Sequence, residues 1–317
     1  MGHLRPAGLN RAMTDLSAPD SSVRAVCRAC GGGVRPKFRA RDYNRLASDE
    51  IFSYSECIQC GVISLQNVPL DLNSYYVPGY YQQPTTDAAI EAGATHEQYK
   101  IDLVKQFVSG GRLLEIGPSW GAFCLLAKRA GFSVEAIEMN SSCCEFLTAR
   151  IGIRAFCRSD EAAAIQETSS PDVIAAWHVL EHLQNPWELV DAAAAHLSPG
   201  GILILALPNP RALQFKILGR YWAHLDAPRH LHLVPPDALR KRAEAAGLKQ
   251  VLCTTTDAGS LGWNEFGWVY SLQHVASGTF AKRVLRFAGR KISAALALVE
   301  SREGLGSAYT AVFRKPT

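Results

Sequence analysis

The sequence predicts an α/β fold in which a mostly parallel β-sheet is covered by helices on both faces and preceded by a small cysteine-rich module. Three observations carry this. From about Glu97 onward, short apolar runs alternate with segments of helical period. Two C-x2-C pairs stand ahead of that alternation, and 317 residues at 48% apolar content are enough for one large core plus an accessory unit.

In chain order, residues 1–22 hold no continuous apolar stretch, and Pro6 takes the place where a myristoylation signal needs Ser or Thr. They predict a flexible leader and no secretory signal. Residues 23–66, rich in Cys, Gly and Arg with β-like pieces such as IFSYSEC, read as a small separate module. Residues 67–96 contain PLDLNSYYVPGYYQQP, a Tyr-rich stretch broken by Pro and Gly that suits a linker or lid. The main domain, 97–317, opens with the helical YKIDLVKQFV. The strand RLLEI, helix AFCLLAKRAG, strand SVEAIEMN, helix SSCCEFLTARIG and strands IRAFC and DVIAAWH follow. Next come the helix PWELVDAAAAHLSPGG, strand ILILALPN, helix PDALRKRAEAAG, strand KQVLCTTT and last strand SAYTAVFRK. Residues 257–304 form an aromatic and amphipathic insertion before that last strand.

A formal charge of +4, from 33 basic and 29 acidic residues, is too balanced to announce a nucleic-acid binder. No apolar run approaches the roughly 18 residues that span a bilayer. Nine cysteines without an export signal point to a reducing compartment, so a cytoplasmic location is expected.

CRACGG (Cys27, Cys30) and CIQCG (Cys57, Cys60) are separated by 26 residues. Each two-residue gap lets a pair of thiolates grip one ion from a tight turn. Four thiolates close a tetrahedral Zn2+ site with no position left for substrate, so the expected zinc is structural. Cys124, Cys143, Cys144, Cys157 and Cys253 lie in helix or strand segments where buried packing is the default.

LLEIGPSWGAF (Leu113–Phe123) resembles a nucleotide loop with an altered middle. A dinucleotide fingerprint needs bare backbone against a pyrophosphate, but here Ser119 and Trp120 fill that approach and Glu115 would repel a diphosphate. A cationic, phosphate-free nucleoside fits instead: Gly117 and Gly121 allow the tight turn, the acid complements positive charge, and S-adenosylmethionine is such a ligand. Glu138, with Met139 beside it, ends the next strand, where a carboxylate would accept both ribose hydroxyls.

With these motifs, WHVLEHLQNPWELV, LSPGGILILALPNP and DAPRHLHL, the chain resembles the class I S-adenosylmethionine-dependent methyltransferases, in particular the small-molecule group with an N-terminal zinc ribbon. The resemblance covers Cys27 to about Thr256 and the last strand. It implies a Rossmann-like sheet of seven strands, the last antiparallel, and carries Glu115, Gly117, Gly121 and Glu138 over as cofactor contacts. Asp160 or Glu161 matches the adenine-amine contact. Ser119-Trp120 departs from the smaller residues common in the family.

HVLEHLQNP follows the fourth main strand, at the carboxyl edge where open parallel sheets bind ligands. On a helix starting there, His178, Glu181 and His182 share one face. His182 is a candidate base for the acceptor's proton, with His230 as a second from the opposite wall. His178 is a third candidate for catalysis or cofactor contact, against a plain role in capping the turn. A metal-binding reading stays open, because some methyltransferases carry an E-x-x-E-H that holds Mg2+, with His178 replacing the first carboxylate here. Asn209 reads as a turn former or pocket wall.

Trp263, Phe266, Trp268 and Tyr270 in the insertion could line an acceptor pocket or a dimer surface. Further on, Val284, Ala288, Ile292, Ala295 and Val299 form one helical stripe, and Arg283, Arg286 and Arg290 another. Membrane-surface contact through 280–300 and docking on the chain's own domain are the competing readings. Tyr75, Tyr76, Tyr80 and Tyr81 are lid candidates. The expected function is methyl transfer to a small biosynthetic molecule. Its rivals are an RNA modifier using the basic residues of the module, and an inactive zinc-ribbon binding protein.

Overall fold

The computed structural model describes residues 26–317 apart from Pro78, Val275 and Ser277, so the expected leader lies outside the described residues. The strands are β1 (Val34–Ala40), β2 (Phe52–Cys57), β3 (Ile63–Leu65), β4 (Arg112–Ile116), β5 (Ser133–Glu138), β6 (Arg154–Cys157), β7 (Val173–Trp177), β8 (Ile202–Pro208), β9 (His232–Leu233), β10 (Lys249–Thr254) and β11 (Ala308–Arg314). The α-helices are α1 (Asp87–His96), α2 (Gln98–Lys105), α3 (Ala122–Arg129), α4 (Ser141–Phe146), α5 (Glu161–Ala164), α6 (Pro186–His196), α7 (Leu213–Leu218), α8 (Pro236–Ala245), α9 (Ala258–Gln273) and α10 (Thr279–Glu300).

The main sheet runs β10-β11-β8-β7-β4-β5-β6, with β11 antiparallel to both neighbours and the other contacts parallel. This is the expected seven-stranded, Rossmann-like sheet. Its strands are apolar nearly throughout because each face is covered: Leu114, Ile116 and Ile174 enter one core cluster, while Leu113, Val173 and Ala175 enter the other. The strand order reverses between β4 and β7, and the crevice outside their carboxyl ends holds the site. Among the described residues no helix is long and apolar enough to cross a membrane.

The cysteine module is not free-standing. Its three strands are completed by β9, with Ile63 opposite Leu233, so a segment of the main domain closes the module's sheet. Phe52, Tyr54, Ile63 and Leu65 share a core with Trp222, Leu231 and Leu233. Beside that core, the wholly buried Arg229 guanidinium bonds both oxygens of the buried Asp42 (2.7 and 3.1 Å) and both of Asp226 (2.7 and 2.9 Å). Three charges with mutually satisfied hydrogen bonds can remain in a dry interior.

The insertion is a pair of helices. Asp257 caps α9 through a 3.1 Å bond from the Ser260 amide. Helix α10 crosses α9 so closely at Gly289 that a Cβ there would stand 2.7 Å from Val269 Cα. Ala288, Ile292 and Val299 of the anticipated stripe are partly covered on this side, but Val284 and Ala295 are exposed. Docking on the chain's own domain therefore accounts for part of the stripe. Buried Glu300 accepts from Trp268 Nε1 (3.1 Å) and Gln214 Nε2 (2.8 Å), fixing both helices to α7.

Candidate active site

The loop after β4 turns at Gly117 (φ +66°), where a Cβ would stand 2.7 Å from Val179 Cγ2. One amide of this loop and one from the turn after β5 serve the acid at the end of β5. Ser119 N donates to Glu138 Oε2 (2.9 Å) and Asn140 N to Oε1 (2.8 Å), so the buried carboxylate is held at the lip of the crevice. Burial raises the Glu138 pKa, while the Asn140 and Ser119 amides oppose the shift. Trp120 does not obstruct the crevice: its ring meets Phe146 edge-on at 6.3 Å and lies against Gly93 of α1.

A cleft of about 560 Å³ opens here, lined by Gly117, Ser119, Glu138, Met139, Asp160, Glu161, His178 and His182, and by Tyr76, Tyr80 and Tyr81. Asp160 also caps α5, accepting from Ala163 N at 3.0 Å. Burial raises the Glu161 pKa, and the charges of Asp160 and Glu138 add to the effect.

Two anticipated contacts lie elsewhere. Glu115 is buried behind the loop and does not line the cleft. It accepts a 2.8 Å hydrogen bond from Cys124 Sγ, and burial pushes its pKa to about 7 despite the nearby Lys100. Gly121 opens α3 beside Leu147 and is likewise outside the cleft wall. Tyr75 leaves the anticipated lid as well: its ring packs edge-on to Phe52 and its hydroxyl bonds Glu50.

A second cavity of about 350 Å³ has His178, His182 and Tyr80 in common with the first among its lining residues, so these three side chains border both. Its walls include Trp263, Phe266 and Tyr270 from α9, His224 and His230, and Asn44 and Arg45 from the cysteine module. Trp268 instead points to Glu300. Asn209 is fully buried, donates to the Gly304 and Gly306 carbonyls and accepts from Arg211 N, which makes it a turn former.

The segment after β7 is not an α-helix. His178 has φ +55° and precedes a single 3-10 turn, Leu180–His182, so the shared helical face does not form. The residues converge through the turn instead. His182 Nδ1 lies 3.1 Å from the Arg229 carbonyl and 3.2 Å from the Tyr76 hydroxyl, and His230 Nδ1 lies 2.8 Å from the His224 carbonyl. A carbonyl only accepts, so these bonds assign the proton to Nδ1 of each ring and leave both Nε2 atoms with a free lone pair. The rings stand perpendicular, 4.6 Å apart. Burial lowers the His182 pKa to about 4, with His230 adding to the shift, and burial lowers that of His230. His178 is also held near 4, by burial and then Lys100.

Glu181 is fully buried and neither of its carboxyl oxygens has a hydrogen-bond partner; His178 Nδ1 stands 3.4 Å from Oε1 without bonding it. Burial raises the Glu181 pKa, while His230 and His182 pull it down. One ligand atom from each of Glu181, His182 and His230 lies within 4.8 Å of the others.

The four module cysteines also converge. Cys27 and Cys60 sulfurs are 3.6 Å apart and those of Cys30 and Cys57 3.5 Å, all within 4.8 Å of one another. A tetrahedron with metal–sulfur bonds of about 2.3 Å has edges near this length. Burial would raise the Cys57 pKa, but the Cys60 and Gln59 amides and Cys30 bring it down to about 7, towards the thiolate that binds metal. All nine cysteines are free. Cys124, Cys143 and Cys144 are buried as expected, but Cys157 is exposed at the end of β6 and Cys253 is half-buried. The module's cations are largely engaged: Arg35 and Lys37 pair with Glu56, Arg41 reaches Asp49, and Arg28 bonds Asn185.

A family profile described as "Methyltransferase domain" matches residues 94–253, half of the chain. The "Ubiquinone biosynthesis O-methyltransferase" of Bordetella bronchiseptica is 28% identical over 178 residues, covering 52% of this chain and 71% of that protein. The protein of the same name from Chelativorans sp. is 30% identical over 149 residues, 44% of this chain and 59% of that one. Among solved structures, a SAM dependent methyltransferase from Archaeoglobus fulgidus superposes with a TM-score of 0.47 at 19% identity, covering 71% of this chain and 94% of the other.

Proposed function

The chain belongs to the methyltransferase-domain family and is an S-adenosylmethionine-dependent methyltransferase, and from this premise we propose that it methylates an oxygen, nitrogen or carbon atom of a small biosynthetic molecule seated in the α9 cavity. The observation that supports this most is that His178, His182 and Tyr80 border both cleft and cavity, so a donor in one and an acceptor in the other would meet at these side chains. In-line displacement needs that contiguity. The aromatic walls favour a ring-bearing acceptor, and the relatives' printed name makes a quinone-like phenol one candidate. RNA is disfavoured because most of the module's cations are already engaged.

Bound S-adenosylmethionine would supply an electrophilic methyl group. In this reading Glu138 holds the ribose hydroxyls, Gly117, Ser119 and Met139 frame the nucleoside, and Asp160 or Glu161 meets the adenine amine. His182 takes the acceptor's proton at Nε2, with His230 as its neighbour, and His178 borders both ligands. Glu181 then supplies negative charge beside the imidazolium that forms.

A second reading rests on the unpartnered Glu181. Two imidazoles and a carboxylate this close suit a divalent transition metal, which would acidify an acceptor hydroxyl in place of a base. The Cys27, Cys30, Cys57 and Cys60 cluster we assign to structural zinc, in a cytoplasmic enzyme.

The decisive experiment gives the zinc-loaded enzyme methyl-labelled S-adenosylmethionine and fractionated metabolite extract, with and without chelator. Label should enter a low-mass cyclic compound. Label in RNA alone would overturn the substrate class, and loss of turnover on chelation, restored by added metal while the fold persists, would select the metal reading over the base.

A further inference from the structure

The side of α10 turned away from α9 carries an apolar stripe that stands largely exposed among the described residues. Phe280, Val284, Phe287 and Leu298 fall on one line of the helix and are 81%, 49%, 62% and 84% exposed. It shares only Val284 with the stripe expected from sequence, of which Ala288, Ile292 and Val299 are partly covered. Lys291 falls within this line, and Arg283, Arg286 and Arg290 run along one side of it. The sequence of α10 has no acid before Glu300, and Glu300 is buried in the contact with Trp268. Among the described residues, one carboxylate, Glu265, pairs with a cation of this group, Arg290.

We propose that α10 docks in the plane of a lipid bilayer carrying anionic headgroups, with Phe280, Phe287 and Leu298 entering the acyl boundary and the flanking cations meeting phosphates. A row of large apolar side chains bordered by arginine and lysine matches an interfacial helix. At 22 residues and about 1.5 Å per residue the helix is long enough to lie along the surface over some 33 Å. A second copy of the chain fits poorly. A two-fold contact through this stripe sets Arg283, Arg286 and Lys291 against their own copies, a repulsive arrangement at an interface. Because α10 backs α9, which walls the second cavity, docking brings that cavity close to the lipid surface.

The test is co-sedimentation of the full-length, zinc-loaded protein with vesicles of pure phosphatidylcholine and with vesicles half phosphatidylglycerol. Binding to the anionic vesicles should be at least about tenfold tighter and weaken with salt. Phe280→Ser with Phe287→Ser and Leu298→Ser, and separately Arg283→Glu with Arg286→Glu, should each reduce it by about tenfold or more. Adenosylhomocysteine affinity should stay unchanged in both variants, which controls for folding. Equal partition onto both vesicles, no partition onto either, or insensitivity to both variants overturns the proposal. So does a wild-type dimer in sedimentation velocity that the apolar variant dissolves.

Discussion

The cleft and the cavity are bordered by the same histidines but are assembled from different stretches of chain. The cleft's acidic end comes from 117–161, inside the family match, and its Glu138 carboxylate is held by one backbone amide from the loop after β4 and one from the turn after β5. The cavity takes Asn44 and Arg45 from the cysteine module and three aromatic rings from α9, both outside that match. In the proposed reading the cofactor's acidic anchor lies inside the family match, while the acceptor cavity combines residues of that match, such as His224 and His230, with walls from outside it. Selectivity should reside in the second and cofactor affinity in the first.

That division can be broken most forcefully at Glu138. Glu138→Ala removes a buried acceptor of charge-assisted hydrogen bonds and should weaken adenosylhomocysteine binding by about 10³-fold in calorimetry. Affinity near wild type would mean the ribose sits elsewhere. His182→Ala belongs to the junction: it should lower kcat by about 10²-fold with little effect on cofactor binding. In wild type, turnover should be flat above pH 5 and fall as pH drops through about 4, where the His182 imidazole takes a proton before the acceptor can supply one. A profile flat to pH 3 would refute the base assignment.

Trp263→Ala should sharpen the contrast further, raising acceptor KM by about tenfold while leaving adenosylhomocysteine affinity alone. A parallel loss of both would mean the two cavities are one site. The smallest effect is expected at Glu115. Its folded pKa of about 7 exceeds the unfolded value of 4.5, so its contribution to stability is complete below pH 4.5 and lost as pH rises through 7. Glu115→Gln should therefore raise Tm by a few degrees at pH 8, reflecting a ceiling of about 3 kcal/mol, with the gain vanishing towards pH 4.5. A variant that instead loses cofactor affinity and gains no stability would return Glu115 to the binding site.

The sheet was legible because its strands are continuous apolar runs separated by helical periods, a purely local signal. Glu138 was legible for the same reason, as the residue at which a strand stops. Glu115 shows where local reading fails: its letter and place suit a ligand contact, but whether its side chain points into the crevice or behind it depends on α2 and α3 packing over it. The base region was visible as residue types and misread as geometry, since the left-handed backbone at His178 prevents the helix the spacing suggested. Tyr76 as a partner of His182, and Asn44 and Arg45 as cavity walls, could not be found from spacing. Those contacts span 106 residues in the first case and well over a hundred in the second. Asp226 and Arg229, an i, i+3 pair of opposite charge, hinted at an ion pair, but nothing near them pointed to Asp42.

The Arg229 bridge has a practical consequence. An N-terminal truncation that kept only the family-matched region would strip Asp42 from a guanidinium sealed off from water, and would leave the short strand at His232–Leu233 with no neighbour. Losing one partner of a sealed ion cluster costs about 3–5 kcal/mol, and the neighbouring residue, His230, is a candidate base. Such a minimal domain should not merely lose the cysteine module. It should also misplace His230, the candidate base, so in this protein the cysteine module and the methyltransferase domain cannot be obtained by cutting between them.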